Sequence, residues 1–485
     1  MAVALKLLRT LADSIRSPNL PLPIAERNIL LRIGDTLVIN LASMSALWLG
    51  SLRGSWDFSA EFLSAQVWWL ILLNFGFYFL NSTFDAYDFK LVSNLYAGLI
   101  SIVKVLAVLF IVYLILYFVL PPALLPRHVV AFFAVIFVAS FILWRIAYVK
   151  IFSNSGFKQN VFIVGHGDAA QKITQLITQS LRAEYNVVGY MPVVDNSRPD
   201  KLSGLGLPRF YDNGVNLAQI VEKCGVSELI LAPDDEQIPP PVLESLIRCQ
   251  ERGVHIVPMS LLYERITGRV AVKHIGNEGY KLLTAANGTT GWARLVKKII
   301  DVLVALLGLM ILGLLLPLIA ILISLDSPGP IFYIQNRVGK AGKVFRLIKL
   351  RTMVIDAEID GAPQWAVEND SRVTFSGRLL RKTRLDELPQ LVNVLKGEMS
   401  LIGPRPERPE FVSQLEHEIP FYRLRHTVRP GLTGWSQVRH PYANKLDDHL
   451  TKLEYDLYYI RHWSLLLDLS ILLRTAGVVL SLSGI

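Results

Sequence analysis

GRLLRKTRLDELPQLVNVLKGEMSLIGPRPERP, running from Gly377 to Pro409, is the stretch from which the rest of the chain is read. At its centre stands an adjacent acid pair, Asp386-Glu387, preceded by Arg378, Arg381, Lys382 and Arg384. A turn, Gly403-Pro404-Arg405-Pro406, follows, and Arg405 is its only charged residue. The prolines fix φ on either side of Arg405, so its guanidinium is held rather than waving. Cations converging on two carboxylates suit phosphoryl chemistry: the cations hold phosphates, one carboxylate attacks and the other holds a metal. The same spacing also fits a solvated helix face of mixed charge. The stretch alone leaves both readings open.

Outward from it, the chain is too apolar for a soluble enzyme, with 52% hydrophobic residues and a mean hydropathy of +0.40. Four apolar runs, near 29–50, 62–81, 95–120 and 128–148, account for much of this. Each is long enough to cross ~30 Å of hydrocarbon as a helix. Arg32 and Asp35 near the start of the first run place its span later, and Lys104, deep in the third, reads as snorkelling or facing the bundle. The net charge of +9 reads as cytoplasmic loops against an anionic leaflet, not as nucleic-acid binding. Basic residues at the N-terminus and at Arg145, Lys150 and Lys158 put both ends of this four-helix unit on the cytoplasmic side. Cys224 and Cys249 have neither a CxxC nor a metal spacing, so no disulfide framework or zinc site is expected.

From Asn160 the pattern changes to a buried strand, a Gly-rich turn and a helix, NVFIVGHGDAAQKITQLI. Gly165 and Gly167 approximate the GxGxxG/A turn that lets backbone approach a phosphate, and Asp195 ends a second strand where a ribose-binding acid would sit. Strands at Glu228–Ala232 and Val254–Pro258, with a helix at Pro241–Glu251, complete a small Rossmann-like unit. A working dinucleotide site and a degenerate scaffold fit equally well.

The last part carries an apolar run from Ile299 to Leu325, interrupted by Pro317. A fifth crossing would put Asp386 outside, away from nucleotide-activated substrates, whereas a helix that enters, breaks at Pro317 and returns keeps it inside. In a strand over 345–353, Lys349, Arg351 and Met353 share one face. That face suits a diphosphate, and equally an ordinary solvated strand. Glu407–Leu424 and Leu446–Arg461 read as amphipathic helices, and the Pro/Gly-rich loop between them holds Trp435 and Gln437, suited to a base or sugar. Trp463–Leu482 reads as a helix lying in the membrane interface. The expected fold is membrane α-helical plus α/β: a four-span unit over 1–150, a Rossmann-like domain over 155–285, and an α/β catalytic domain over 290–485 with a re-entrant helix at 299–325.

Several segments, taken together in order and spacing, resemble one family. They are Ser327-Pro-Gly-Pro330, Gln335-Asn-Arg337, Lys349-Leu-Arg-Thr-Met353, Arg381 through Leu385-Asp386-Glu387-Leu388-Pro389-Gln390, Met399 through Pro406, Arg429 through Gln437, and Tyr455-Asp456-Leu-Tyr-Tyr459-Ile460. They look like the bacterial sugar transferases, the monotopic phosphoglycosyl transferases that load a sugar phosphate onto polyprenyl phosphate. Undecaprenyl-phosphate glucose and galactose phosphotransferases are among them. The match covers roughly 290–485, and the whole chain looks like the family's long form.

The resemblance implies that Asp386 is the nucleophile on the β-phosphate of a UDP-sugar, releasing UMP and holding the sugar phosphate covalently until undecaprenyl phosphate takes it. It further implies Mg²⁺ at Glu387, with Lys349, Arg381 and Arg405 around the phosphates. Arg337, Arg351, Gln437, Trp435 and Asp456 stand as substrate-binding candidates, and Gly165, Gly167 and Asp195 as weaker cofactor-binding ones. Lys298 and Asp301 match the start of the family's re-entrant helix, while Leu316-Pro317 departs from its usual Ser-Pro. The implied partners are the UDP-sugar, undecaprenyl phosphate and membrane lipid, with a homodimer left open. The implied place is the bacterial inner membrane, with both termini cytoplasmic, and the implied task is starting an exopolysaccharide, capsule or O-antigen. Glucose is the leading sugar, galactose next. One rival is a nucleotide-sugar dehydratase or epimerase, but the chain has no Tyr-x-x-x-Lys pair. The other is a non-catalytic scaffold for polysaccharide assembly, which leaves the fully occupied charged positions unexplained.

Overall fold

The computed structural model describes residues 24–52, 57–83, 87, 95–119, 127–152, 158–181, 185–193, 200–210, 217–233, 238–274, 291–355, 370–440 and 446–480. The chain divides into two compact units, Met1–Met259 and Ser260–Ile485.

In the first unit, α1 (Ile24–Ser51), α2 (Ala60–Thr83), α3 (Leu95–Val119) and α4 (Arg127–Phe152) follow the four apolar runs. Three of them contain segments long and apolar enough to cross a membrane, Ile29–Ser51, Ala60–Asn81 and Val129–Tyr148, and α3 contributes the apolar stretch Val103–Val112. The first of these segments includes Arg32 and Asp35, which the sequence reading had placed before the span. The reason is pairing: Asp35 is fully buried and accepts from Arg145 at 2.9 Å and from Trp144 Nε1 at 3.0 Å, so its charge is matched inside the bundle. Lys104 is exposed on α3.

The α/β part of this unit has β1 (Gln159–Val164), α5 (Asp168–Ser180), β2 (Tyr185–Met191), α6 (Leu217–Lys223), β3 (Glu228–Leu231), α7 (Pro240–Glu251) and β4 (His255–Pro258). The strands form a parallel sheet in the order β2-β1-β3-β4. Near-continuous apolar strands such as Phe162–Val164 are what a sheet covered on both faces requires.

The second unit is organised on a long helix, α9 (Gly291–Asp326), after a short one, α8 (Met259–Thr267). Pro317 lies inside α9, and the chain is helical on both sides of it. Much of α9 is exposed and apolar, as at Leu303, Met310, Leu314 and Leu325. Its buried stripe packs on this unit's own core. Ala305 belongs to one buried cluster with Leu391, Met399 and Leu401, and Ile319 and Ile323 to another with Leu350 and Leu380. Both ends are also tied to the unit by polar contacts. Near the start, Asp301 accepts from Ser400 Oγ at 2.8 Å and from Leu401 N at 3.1 Å, and Lys297 pairs with Asp468 at 2.7 Å. At the far end, Asp326 accepts from the backbone and hydroxyl of Ser376, both at 2.7 Å.

Around α9 lie the hairpin β5 (Phe332–Val338) and β6 (Val344–Leu350), then α10 (Phe375–Lys382), α11 (Leu391–Lys396), β7 (Ser400–Ile402) and α12 (Pro409–Glu418). They are followed by β8 (Gly431–Thr433), α13 (Trp435–Arg439), α14 (Leu446–His462) and α15 (Leu465–Leu480). The helix expected over 407–424 ends at Glu418, and a 3₁₀ turn, Tyr422–Thr427, takes its place.

Residues 260–274, which the sequence reading gave to the middle domain, are stitched into this second unit. Glu264, nearly buried, pairs with Arg461 at 2.6 Å and His462 at 3.0 Å. Gly268 O accepts from Trp435 Nε1 at 3.0 Å, and Val270 N donates to Glu454 O at 3.1 Å. Removing this segment strands the buried indole donor of Trp435 at a cost of about 1–3 kcal/mol and takes away the carboxylate that pairs with Arg461. A truncation of residues 1–258 is therefore expected to unfold near the full-length temperature for this unit. A truncation of residues 1–285 is expected to unfold at least about 5 °C lower. Thermal unfolding of the two in the same detergent checks this.

Candidate functional site

The acid pair sits in a 3₁₀ turn, Leu385–Gln390, not in an α-helix. Arg384 enters the turn with φ of 59°, a left-handed conformation that ends α10 and redirects the chain. Three residues per turn separate neighbouring side chains by about 120°. The carboxylates of Asp386 and Glu387 thus diverge into different surroundings.

Glu387 meets two guanidiniums through one oxygen, Oε1: Arg405 at 2.8 Å and Arg384 at 3.6 Å. Burial pushes its carboxyl upward, but Arg405 and then Arg384 outweigh this and hold it below its ordinary value. Asp386 is buried, and its Oδ1 has no hydrogen-bond partner among the described residues. Burial, followed by the charge of Glu387, raises its carboxyl from 3.8 to about 6 against the pull of Lys349, Arg381 and Arg405. Two adjacent acids are driven apart: one is a fixed anion, the other a desolvated carboxyl that still ionises near neutrality and is more basic than an ordinary aspartate.

The cations come from four elements. Lys349, on β6 opposite Tyr333 of β5, has its ammonium 5.1 Å from the Tyr333 ring centroid. Burial, then Arg337 and Arg381, lowers it to about 8. Arg381, from the last turn of α10, donates through Nε to Thr352 Oγ1 at 3.0 Å. Arg337 on β5 donates to Pro406 O at 3.1 Å and to Gln335 Oε1 at 2.7 Å, and faces Glu407 at 3.5 Å. Arg405 projects from the proline turn. That turn is held against β8 and the glycine that follows it by close backbone approach. A Cβ on Gly431 would lie 2.1 Å from Gly403 N, and one on Gly434 would lie 2.2 Å from Gly403 O. Asn393, fully buried, fastens α11 to β6 by donating to Arg346 O at 2.8 Å and accepting from Ile348 N at 3.3 Å. It thereby ties the helix that follows the acid pair to the strand that carries Lys349. Nothing in its sequence context marks it.

The other candidates are placed differently. The strand ends at Leu350, so side-chain alternation does not carry through to Arg351. That guanidinium is buried on the C-terminal end of α9, donating to Ser327 O at 2.6 Å and Pro328 O at 2.9 Å. Trp435 is buried, stacks with Tyr458 at 6.1 Å and lies under Arg439 at 4.5 Å. Gln437 donates to Leu432 O at 3.2 Å, while its buried Oε1 has no hydrogen-bond partner among the described residues. Asp456 is buried between Arg425 at 2.8 Å and Ser436 Oγ at 2.7 Å. Lys298 is exposed, and it is Lys297 that pairs with Asp468.

In the first unit, Gly165 has φ of +139°, and a Cβ there would lie 2.0 Å from Ala232 O, so the turn is pressed onto the end of β3. Gly167 precedes α5, and Asp168 in the first turn pairs with Lys201. Asp195 lies outside the described residues.

Among the described residues no group of three or more His, Cys, Asp or Glu forms a metal cage. The donors at the acid pair, a Glu387 carboxylate and the unpartnered Asp386 Oδ1, are hard oxygens. They fit a cation such as Mg²⁺, which keeps most of its shell as water and phosphate oxygens.

Comparison with known proteins gives two family matches. The family described as bacterial sugar transferase matches residues 292–482, and one described as a CoA-binding domain matches 82–233. The chain is 44% identical over 237 residues to the UDP-N-acetylgalactosamine-undecaprenyl-phosphate N-acetylgalactosaminephosphotransferase of Aeromonas hydrophila, covering 49% of this chain and 55% of that one. It is 54% identical over 152 residues to a putative undecaprenyl-phosphate N-acetylgalactosaminyl 1-phosphate transferase of Bacillus subtilis, covering 31% and 82%. It is 41% identical over 188 residues to the UDP-glucose:undecaprenyl-phosphate glucose-1-phosphate transferase of Escherichia coli, covering 38% and 40%. The chain thus spans about half the length of the Aeromonas relative and less of the Escherichia one.

The raised carboxyl of Asp386 makes a prediction about stability. The folded state holds this proton more tightly than an unfolded chain does. The stabilisation is full below the unfolded value of 3.8 and is lost as pH rises through about 6. Asp386→Asn cannot ionise. It should be more stable than the parent at about pH 7.5, by up to roughly 3 kcal/mol, and equal to it near pH 4. Unfolding midpoints across that range, without divalent cations, give the comparison.

Proposed function

The chain belongs to the bacterial sugar transferase family, and from that premise we propose that it transfers a hexose 1-phosphate or N-acetylhexosamine 1-phosphate from its UDP derivative to undecaprenyl phosphate. The observation that carries this reading is Asp386: buried, with an unpartnered oxygen, titrating near 6 beside Lys349, Arg381 and Arg405. A carboxylate so placed is ionised at neutral pH yet poorly solvated, which suits attack on phosphorus. Its oxygen bonds to the β-phosphorus as the bond to the bridging oxygen breaks and UMP leaves. An oxygen of the prenyl phosphate then attacks the same phosphorus, restores the carboxylate and departs as the diphosphate-linked sugar. Lys349, Arg381 and Arg405 hold the phosphate oxygens, and Arg337 fixes the turn that carries Arg405. Glu387 would hold Mg²⁺, whose charge, when bound, offsets that of the diphosphate. The names of the relatives support both glucose and N-acetylgalactosamine as the sugar. The long form's expected product is the first lipid-linked sugar of a surface polysaccharide.

We further infer that α9 dips into the membrane and returns. The support is that Asp301 and Lys297 near one end and Asp326 at the other all bind elements of the same unit. The site then faces the cytoplasm, where UDP-sugars are made. Lys396→Cys and Glu418→Cys, at positions outside the site, should resist an impermeant thiol reagent in intact cells and react once the membrane is opened. Modification in intact cells would mean that α9 crosses.

The chemistry has its own test. Asp386→Asn should abolish UMP release while retaining UDP-sugar binding. The parent, given UDP-sugar without acceptor, should carry one sugar phosphate on Asp386 by peptide mass spectrometry. Glu387→Gln should be severely slowed and partly restored by raised Mg²⁺. The kcat/KM for UDP-sugar should be bell-shaped in pH, rising as Asp386 ionises at about 6 and falling as Lys349 loses its proton at about 8. An Asp386→Asn variant with parental turnover, or an adduct on another residue, would overturn the assignment. A panel of UDP-sugars with UMP release as readout decides the sugar.

A further inference from the structure

The proline turn that carries Arg405 and the residue after it are fixed carbonyl by carbonyl, from β5, from β8 and from the 3₁₀ turn Tyr422–Thr427. Pro404 O accepts from Gly431 N at 2.9 Å, Pro406 O from Arg337 Nη1 at 3.1 Å, and Glu407 O from Val338 N at 2.9 Å. Arg405 O accepts from Arg425 Nη2 at 3.0 Å. Of these four donors, Arg425 is the one built as a buried charge. It is 6% exposed, its Nη2 also pairs with Asp456 at 2.8 Å, and its guanidinium lies 5.0 Å from the Tyr422 ring centroid while Nη1 bonds the Tyr422 hydroxyl. Asp456, 1% exposed, is completed by Ser436 Oγ at 2.7 Å. A buried ion pair is a weak device for stability, because desolvation consumes most of the attraction. This one is aimed at a single backbone atom, the carbonyl of the residue whose side chain grips Glu387 at 2.8 Å.

We propose that Arg425 is a positioning residue for the transfer: backed by Asp456, Ser436 and Tyr422, it holds the Arg405 carbonyl so that the Arg405 guanidinium meets Glu387 and the substrate phosphates. Asp456, a substrate-binding candidate from the sequence, acts in this arrangement through Arg425 and not on the substrate. The proposal rests on the reading that Arg405 works at the phosphates. The prolines set φ on either side of Arg405 and Pro406 confines its ψ to the extended region, and the Arg425 bond fixes where within that range the Arg405 carbonyl points. Lysine in place of Arg425 keeps a charge beside Asp456 but loses the planar fork whose two terminal nitrogens reach Tyr422 on one side and Asp456 and the Arg405 carbonyl on the other.

The test is a double-mutant cycle on the full chain in membranes, with UMP release at saturating UDP-sugar as readout. Arg425→Lys is expected to lower turnover by roughly ten- to a hundredfold. The Arg405→Lys variant is expected to show a loss of its own, and the double variant to be little worse than Arg405→Lys alone, because both changes remove one interaction. Where Arg425→Lys unfolds, Arg425→Met with Asp456→Leu replaces the pair by apolar groups and keeps the fold, judged by its unfolding midpoint, with the same loss of turnover. Losses that multiply in the double variant, or Arg425→Lys turning over like the parent, would overturn the positioning role and leave the catalytic reading standing. Arg405→Lys turning over like the parent would instead remove the catalytic reading of Arg405, and the positioning role with it.

Discussion

The ion pair between Glu387 and Arg405 is the contact on which the site's electrostatics depend. It joins two stretches eighteen residues apart, the 3₁₀ turn and the proline turn. By fixing one carboxylate as an anion, it leaves the adjacent Asp386 to carry the cost of a second buried negative charge. Lys349 and Arg381 then stand near Asp386 with that one carboxylate between them. A pocket with surplus positive charge is suited to receiving a diphosphate and then a second phosphate, both of which would be repelled by the acid pair alone.

The long apolar helix frames this arrangement from both ends. Near its start, Asp301 and Lys297 hold Ser400, Leu401 and Ile402, the strand that runs directly into the proline turn and Arg405. At its end, Arg351 gathers the last carbonyls and Asp326 caps Ser376 at the start of α10, the helix that delivers Arg381. A helix with an apolar exterior and a polar grip at each end would, in the proposed reaction, tie the position of the cations to the lipid phase, so that a prenyl chain stays in hydrocarbon while its phosphate reaches them.

The segment over 260–274 shows that the boundary of the catalytic unit is set by buried polar partners. Glu264 is itself buried and finds its partners on α14, while Gly268 O and Val270 N meet the Trp435 indole of α13 and the Glu454 carbonyl of α14. The α/β part before it has the parallel sheet and Gly-rich turn expected of a nucleotide fold, yet Gly165 is packed on Ala232.

What the sequence by itself determined is what local order can carry. Apolar runs of about twenty residues marked the membrane helices, because burial in hydrocarbon is read residue by residue. Alternation and turn residues marked the parallel strands from Gln159 to Pro258. The acid pair and its flanking cations stood out through adjacency, and the motif order supplied the family. The tertiary structure decided which charges meet. Asp35 belongs inside a helix because Arg145, 110 residues away, neutralises it. Arg351 turns to the end of α9 because its strand stops one residue earlier. Asp456 faces Arg425 rather than the solvent. Asn393 and Arg425 carry no sequence signal, since each acts through a backbone carbonyl brought to it by folding. The split between two neighbouring carboxyls came last of all, because desolvation and Coulomb interaction depend on what surrounds a group in space.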